Sequence, residues 1–416
     1  MSLRSRLVSP YALSALEQGL GSLLNLGVNL LLVRYLPQHE YGAFVFWANT
    51  GFVLSSLQNA VSGTHLYTLS PGGPQSDHRR HVERLMHAVT LGWLALVGAL
   101  ALLGGGLIRG HDANLHAWTA ALFLPAFLLQ QYVRALAFSR GETGTATVQT
   151  GLVVVLSGLF LAVSLAGARA LQADAALAAL AAAYGLAGVI GFWRATRGQW
   201  TGWRPRELEG YLAFARHSGW IFVGVSTTEL LTRFYSFVTA TTFGAAALAG
   251  LSASQLLLRP IPLLATSWSM VARGDLARRR DEVDRRGIAR LVYGAAIGGV
   301  ALTLGWTLLV HAAWGPVSTQ MFGGKYGDLG WMVLVWGLCS GLSFVQTALS
   351  SALQVMRAFK PIAIANSIAA GAAVLAIVGL MRLYGPAGAV LGTAVGQTIE
   401  AVLMVVILRR ALRALG

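Results

Sequence analysis

The chain has 416 residues, of which 55% are hydrophobic and 11% charged, and its formal net charge is +15 at pH 7. Soluble domains carry about 25% charged residues, so the composition excludes an ordinary soluble protein and points to a polytopic membrane protein. The single cysteine, Cys339, excludes a disulfide framework and a cysteine metal cluster.

In chain order, hydropathy and helix breakers predict twelve membrane spans, at 11–33, 41–69, 84–108, 115–137, 146–168, 173–194, 213–241, 245–272, 288–311, 329–352, 361–381 and 386–408. The first carries Glu17, Gln18, Asn25 and Asn29, which makes it too polar and too long for a cleavable signal, so a retained signal anchor is expected. The eighth contains Arg259-Pro260-Ile261-Pro262, a sequence that must break a helix near mid-depth. An even count places both termini on one side. If that side is the cytoplasm, 24 basic residues lie there and 5 opposite, with Arg134 counted in an inner loop and only Arg233 and Arg259 inside the membrane. The net charge is then a topology signal facing anionic headgroups, and no nucleic-acid partner is expected.

Six spans, a basic linker and six more spans suggest a duplication. The organisation expected is an N-terminal lobe at 1–196, a cytoplasmic linker at 197–212 and a C-terminal lobe at 213–416. Aligning Arg134 onward with Ser351 onward at an offset of 217 matches Arg140 with Arg357 and Gln149 with Asn366. The fold class expected is all-α, with two pseudo-symmetric six-helix lobes around a central hydrated cavity.

Polar residues indicate which helices would line that cavity. At 100° per residue, Gln18, Ser22, Asn25 and Asn29 fall within about 60° on span one, and Ser55, Asn59 and Ser62 form a second stripe on span two. Span seven places Ser226, Glu229, Arg233 and Ser236 on one face, and span eight aligns Ser252, Gln255, Arg259, Thr266 and Ser269. Glu229 and Arg233, one turn apart, can also form an intrahelical ion pair that lowers the cost of two charges at depth. Gln130, Gln131, Gln149, Asn366 and Gln397 read as packing contacts, while His65 and His217 lie near the inner surface and are expected to be solvated.

The segments ALEQGLGSLLNLGVNLLLVRYLPQHEYGAF (15–44), MFGGKYGDLGWMVLVWGL (321–338), MRAFKPIAIANSI (356–368) and LYGPAGAVLGTAVGQ (383–397) resemble polysaccharide-unit flippases. These belong to the multidrug/oligosaccharidyl-lipid/polysaccharide exporter superfamily. The resemblance spans nearly the whole chain through short motifs. It implies two six-helix lobes in a V shape, a cationic cavity lined by spans one, two, seven and eight, and an undecaprenyl-pyrophosphate-linked oligosaccharide as cargo. Lipid flippases of peptidoglycan synthesis usually have fourteen spans and are expected to fit less well.

The expected activity is therefore flipping across the bacterial inner membrane for O-antigen, capsule or exopolysaccharide synthesis, without a cofactor. Candidate substrate-binding residues are Arg233, Arg259, Gln255, Asn25, Asn29 and Asn59, and candidate proton- or sodium-coupling residues are Glu229, Glu17 and Glu400. Expected partners are the lipid-linked oligosaccharide, membrane lipids and other polysaccharide-assembly proteins. A drug antiporter of the same superfamily is the main alternative; it should line its cavity with acids. An enzyme is disfavoured because the longest outer loop, about 312–328, holds one Asp and one Lys. A passive envelope-assembly scaffold would show no transport at all.

Overall fold

The computed structural model describes residues 10–67, 77–107, 116–167, 171–196 and 211–414. The expected linker lies almost wholly outside the described residues, as does the N-terminal basic segment. Twelve long helical segments and no strand occur among the described residues. They are α1 Pro10–Tyr35; α2 Gln38–Gln58, continued by a π turn Asn59–Gly63 and by Thr64–Tyr67; α3 Asp77–Leu107; α4 Ala117–Ser139; α5 Thr143–Gly167; α6 Ala173–Thr196; α7 Leu212–Phe243; α8 in two halves, Ala245–Leu256 and Pro260–Asp281; α9 Arg285–Ala312; α10 Gly330–Val355; α11 Phe359–Tyr384; and α12 Pro386–Ala414. Nine of the described helices are long and apolar enough to cross a membrane, and the two halves of α8 together make a tenth. The others, α2 and α7, carry polar stripes.

Two compact units make up the chain, Met1–Val225 and Ser226–Gly416, so the division falls within α7. The same neighbour list recurs inside each. In the first unit α4 packs on α3 and α6, α5 on α6, and α2 on α4; in the second, α10 packs on α9 and α12, α11 on α12, and α8 on α10. The tightest of these pairs is explained by composition. Gly388, Gly392 and Gly396 recur every four residues on α12, and a Cβ at the first two would overlap the backbone of Leu380 and Ile377 on α11. Small residues at that spacing let two helices approach closely where lipid supplies no hydrophobic drive.

The turns refine the internal repeat. After α4, Gly141 adopts φ 74° and Glu142 N donates to Ala137 O; after α10, Arg357 adopts φ 59° and Ala358 N donates to Leu353 O, both bonds being 2.9 Å. Arg357 therefore stands where Gly141 does, a shift of 216 residues rather than 217, and helices α5 and α11 begin at that same shift. Matching Arg140 with Arg357 followed side-chain identity, whereas the backbone needs a left-handed residue at the turn. In the corrected register Thr150 corresponds to Asn366.

A third turn of this kind ends α8, where Val283 adopts φ 57° and Asp284 N donates 2.8 Å to Arg279 O. Asp284 then caps α9, accepting from Gly287 N at 2.8 Å, and this bond, helped by Arg279, holds its carboxyl below the usual range. A β-branched residue in the left-handed region is strained, and Val283 is half exposed. Val283→Gly is expected to stabilise the protein by about 1 kcal/mol, read as a raised thermal midpoint; an unchanged or lower midpoint contradicts this.

The predicted break in span eight is present as a 54° bend between its halves. Pro260 and Pro262 have no N–H to offer. Arg259 N and Ile261 N make the tighter bonds to Leu256 O and Leu258 O at 3.4 and 3.1 Å, and the Trp306 indole from α9 donates to Leu257 O at 2.8 Å. Carbonyls freed at depth are thus satisfied by protein groups. Within the second half the polar stripe meets two settings. Ser269 is buried and bonds Ser351 of α10 at 2.6 Å, whereas Thr266 is exposed and bonds its own helix at Pro262 O.

Candidate functional site

In the second unit, α7 and α8 gather four of the predicted residues. Arg233 Nε lies 2.9 Å from Glu229 Oε2, as the one-turn spacing predicts. Glu229 Oε2 is buried and receives no aligned hydrogen bond, so the attraction is between charges rather than a directed bond. Two residues on, the buried Tyr235 donates 3.4 Å to Gln255 Oε1. Its ring meets Trp336 edge-on at 5.0 Å, and that indole in turn donates 3.0 Å to Leu251 O. Arg259 is the last residue before the lower half of α8, so the break itself positions it. Ser236, placed on the same stripe by spacing, is buried and donates 2.7 Å to Arg233 O.

In the first unit, Glu17 of α1 is 2% exposed and forms an ion pair with Arg134 of α4. The pair is bidentate, Arg134 Nε to Oε1 at 2.6 Å and Nη2 to Oε2 at 2.9 Å, and Thr150 Oγ1 of α5 donates 2.8 Å to Oε1. Arg134 therefore does not belong to the inner loop. It lies within α4, five residues before the helix ends. The positive-inside count placed it in an inner loop together with Arg140. The signal that could have found it is the lone acid Glu17 on span one, which needs a cation to be buried.

Arg134 also borders a cavity of about 230 Å³ between α4 and the π turn of α2, lined among others by Ser55, Gln58, Asn59, Ser62 and Tyr67. Asn59 is exposed, as the stripe on span two predicts. Asn29 has a different setting: it is buried, accepts from the Tyr41 hydroxyl at 3.1 Å and donates to Asn25 O at 2.8 Å, joining α1 to α2.

Glu400 of α12 is 6% exposed. Gln346 of α10 donates to its Oε2 at 2.5 Å, and the Asn366 amide of α11, oriented so that both its groups are satisfied, donates 3.0 Å to Oε1. Each unit thus holds one buried carboxylate bonded from the equivalent position, Thr150 in the first and Asn366 in the second. They differ in compensation: Glu17 has a guanidinium, and among the described residues Glu400 forms no ion pair.

The remaining expectations fall as follows. His65 is buried edge-on against Tyr211 rather than solvated, and the side chain of His217 lies outside the described residues. Arg79 and Arg140 clamp Glu83 and also donate to Ser139 O and Ala195 O, so this inner cluster serves packing of α3, α4 and α6. Among the described residues no group of three His, Cys, Asp or Glu is placed to hold a metal ion.

No protein-family model and no curated protein matches the sequence. Solved structures do. The chain is similar to a lipid II flippase MurJ in an inward closed conformation, with TM-score 0.73 and 14% identity, covering 97% of this chain and 89% of that one. It is similar to an inward-facing multidrug resistance MATE family transporter of the MOP superfamily, with TM-score 0.67 and 13% identity over 97% and 98% of the two chains. For the eukaryotic MATE transporter AtDTX14 the values are 0.59 and 15%, over 97% of each chain. The chain covers 89% of the MurJ chain, against 98% and 97% of the two MATE transporters. The chain is a multi-pass, all-helical membrane protein with the fold shared by the flippase MurJ and the MATE transporters.

Proposed function

We propose that the protein is a flippase moving undecaprenyl-pyrophosphate-linked oligosaccharide units across the bacterial inner membrane for O-antigen, capsule or exopolysaccharide synthesis. The observation that carries this reading is the break in α8, which sets Arg259 at the start of a half-helix in the same unit as the Glu229–Arg233 pair. A diphosphate cannot enter hydrocarbon unpaired, and guanidinium groups meet phosphate oxygens through charge-assisted bonds. Arg259 is the phosphate contact and Arg233 its neighbour; Gln255, Asn25, Asn29 and Asn59 meet sugar hydroxyls. The prenyl tail stays in lipid. Both termini are cytoplasmic, the lobes 1–196 and 213–416 rock in alternating access, and Glu229, Glu17 and Glu400 are the groups through which a proton or sodium gradient drives the cycle.

A drug antiporter is the second reading, favoured by the fold shared with multidrug MATE transporters. Such a protein would take cations and would be expected to line its cavity with acids. The test is flipping of a fluorescent prenyl-pyrophosphate oligosaccharide in proteoliposomes, with and without imposed proton and sodium gradients. Arg259→Ala is expected to lower the rate roughly 30-fold or more, since removing one partner of a desolvated charge pair costs about 2 kcal/mol at least. Unchanged flipping by Arg259→Ala would sink the phosphate assignment, and efflux of a cationic dye with no lipid-linked sugar moved would establish the antiporter.

A further inference from the structure

We propose that the second unit holds a binding site for a phospholipid with a net negative headgroup, at the turn from α10 into α11. Arg357 and Lys360 meet the headgroup phosphate, and the exposed apolar side of α11 meets an acyl chain. The site is independent of the cargo proposed above.

The first observation is what the two units put at the same turn. At the 216-residue shift, Gly141, Glu142, Thr143 and Gly144 of the first unit correspond to Arg357, Ala358, Phe359 and Lys360 of the second. In the first, the neighbouring Arg140 is engaged by Glu83 Oε2 at 2.7 Å and Ala195 O at 3.1 Å. In the second, Arg357 and Lys360 are exposed and neither forms an ion pair among the described residues. Arg357 also takes a left-handed φ of 59°, which Gly141 adopts without a Cβ penalty, so a long cation is held where the backbone favours glycine. Strain that one repeat keeps and the other avoids points to a use for the side chain.

The second is the charge around the turn. Leu276 of α8, Ile288 of α9, and Leu408 and Leu412 of α12 belong to one buried cluster, with Met356 and Ala358 packed against it, and Arg280 Nη1 donates 2.8 Å to Val355 O. These contacts gather the ends of α8, α9 and α12 and the turn at one end of the unit. Asp275, Asp281 and Asp284 pair there with Arg278, Arg280 and Arg279. Arg286, Arg409, Arg410 and Arg413 at the same end are exposed and form no ion pair among the described residues, against Glu282 as the one further acid. A surplus of cations at a membrane face selects an anion.

The third says which anion. Lys360, Ile364, Ile368 and Leu375 fall within about 80° on α11, and the three apolar residues are each half exposed or more. Phe359, beside Lys360, is exposed as well. This helix is long and apolar enough to cross a membrane. A cation at the head of an exposed apolar stripe fits an amphiphile, whereas free phosphate or a nucleic acid would leave the stripe unused.

The experiment compares the full chain in nanodiscs of phosphatidylcholine alone and of phosphatidylcholine with phosphatidylglycerol. The thermal midpoint is read, and native mass spectrometry counts the phosphatidylglycerol retained after detergent extraction. Phosphatidylglycerol is expected to raise the wild-type midpoint by several degrees and to stay bound. Lys360→Gln should lose at least half of that rise, with phosphatidylglycerol affinity lowered about fivefold, the weight of one basic residue at an anionic surface. Arg357→Gly should lose as much, yet in phosphatidylcholine alone it should melt about 2 °C above the wild type, because glycine relieves the left-handed strain. Arg194→Gln removes an exposed cation from the end of α6 in the first unit and should keep the full rise. The proposal is overturned if phosphatidylglycerol gives no rise, if both turn variants keep the whole of it, or if Arg194→Gln loses as much as they do. It is also overturned if sodium phosphate added to phosphatidylcholine nanodiscs gives the same rise, or if Arg357→Gly melts lower in phosphatidylcholine, since the arginine would then serve packing.

Discussion

Arg134→Met is expected to lower unfolding stability by about 3–5 kcal/mol, the cost of breaking a buried ion pair from one side, and Glu17→Gln in the same background is expected to recover most of it. Glu17 is 2% exposed and, among the described residues, Thr150 supplies its one other hydrogen bond, so without Arg134 its charge is stranded in the interior. The reverse single change should cost less. Arg134 keeps Gln131 Oε1 at 3.5 Å and the Phe138 ring at 5.6 Å, and its side chain is about a third exposed. A long cationic chain can also bend toward water, which a glutamate on the opposite helix cannot. The order Arg134→Met worst, Glu17→Gln milder and the double variant close to Glu17→Gln, measured in nanodiscs, is the signature of one coupled pair. Additive losses would show that the pair contributes nothing beyond its separate packing.

Gly392→Ala should destabilise by about 1–3 kcal/mol, the range for overpacking, and loosen the seam between α11 and α12. A methyl there meets the backbone of Ile377, which no rotamer change can relieve. Gly379→Ala on α11 is the internal control: nothing lies within 4 Å of its Cβ, so the substitution should be neutral or slightly stabilising. Equal effects at both positions would mean that the close approach of these helices is not what the glycines serve. Glu400 sits one turn beyond Gly396 on the same helix, and its bond to Asn366 crosses this seam, so spreading it also disturbs that carboxylate.

Most of the helices could be read directly. Charge-free runs mark where a backbone must satisfy its own hydrogen bonds, and the structure has helices at each of the twelve predicted positions. Local chemistry was equally legible where both partners lie on one helix. Glu229 and Arg233 meet because residues four apart share a face, and the break at Arg259 follows from two prolines that cannot donate.

What sequence spacing could not settle were the pairings across helices. Glu17 and Arg134 are 117 residues apart, and Gln346 and Glu400 are 54 apart, so periodicity on either helix alone says nothing of their meeting. The stripe on α8 also holds two settings within its second half, where Ser269 meets α10 while Thr266, three residues before it, is exposed. The π turn and the 216-residue register escaped for a related reason: each depends on a backbone choice that many sequences can make.

From sequence alone came the membrane class, the helix positions, the intrahelical ion pair and the break, all consequences of interactions within a few residues. Only the tertiary structure decided which buried charge has a partner and that Arg134 lies within α4 against Glu17 rather than in a loop. Those outcomes depend on which helices pack against one another, since only packing brings residues distant in sequence within hydrogen-bond reach.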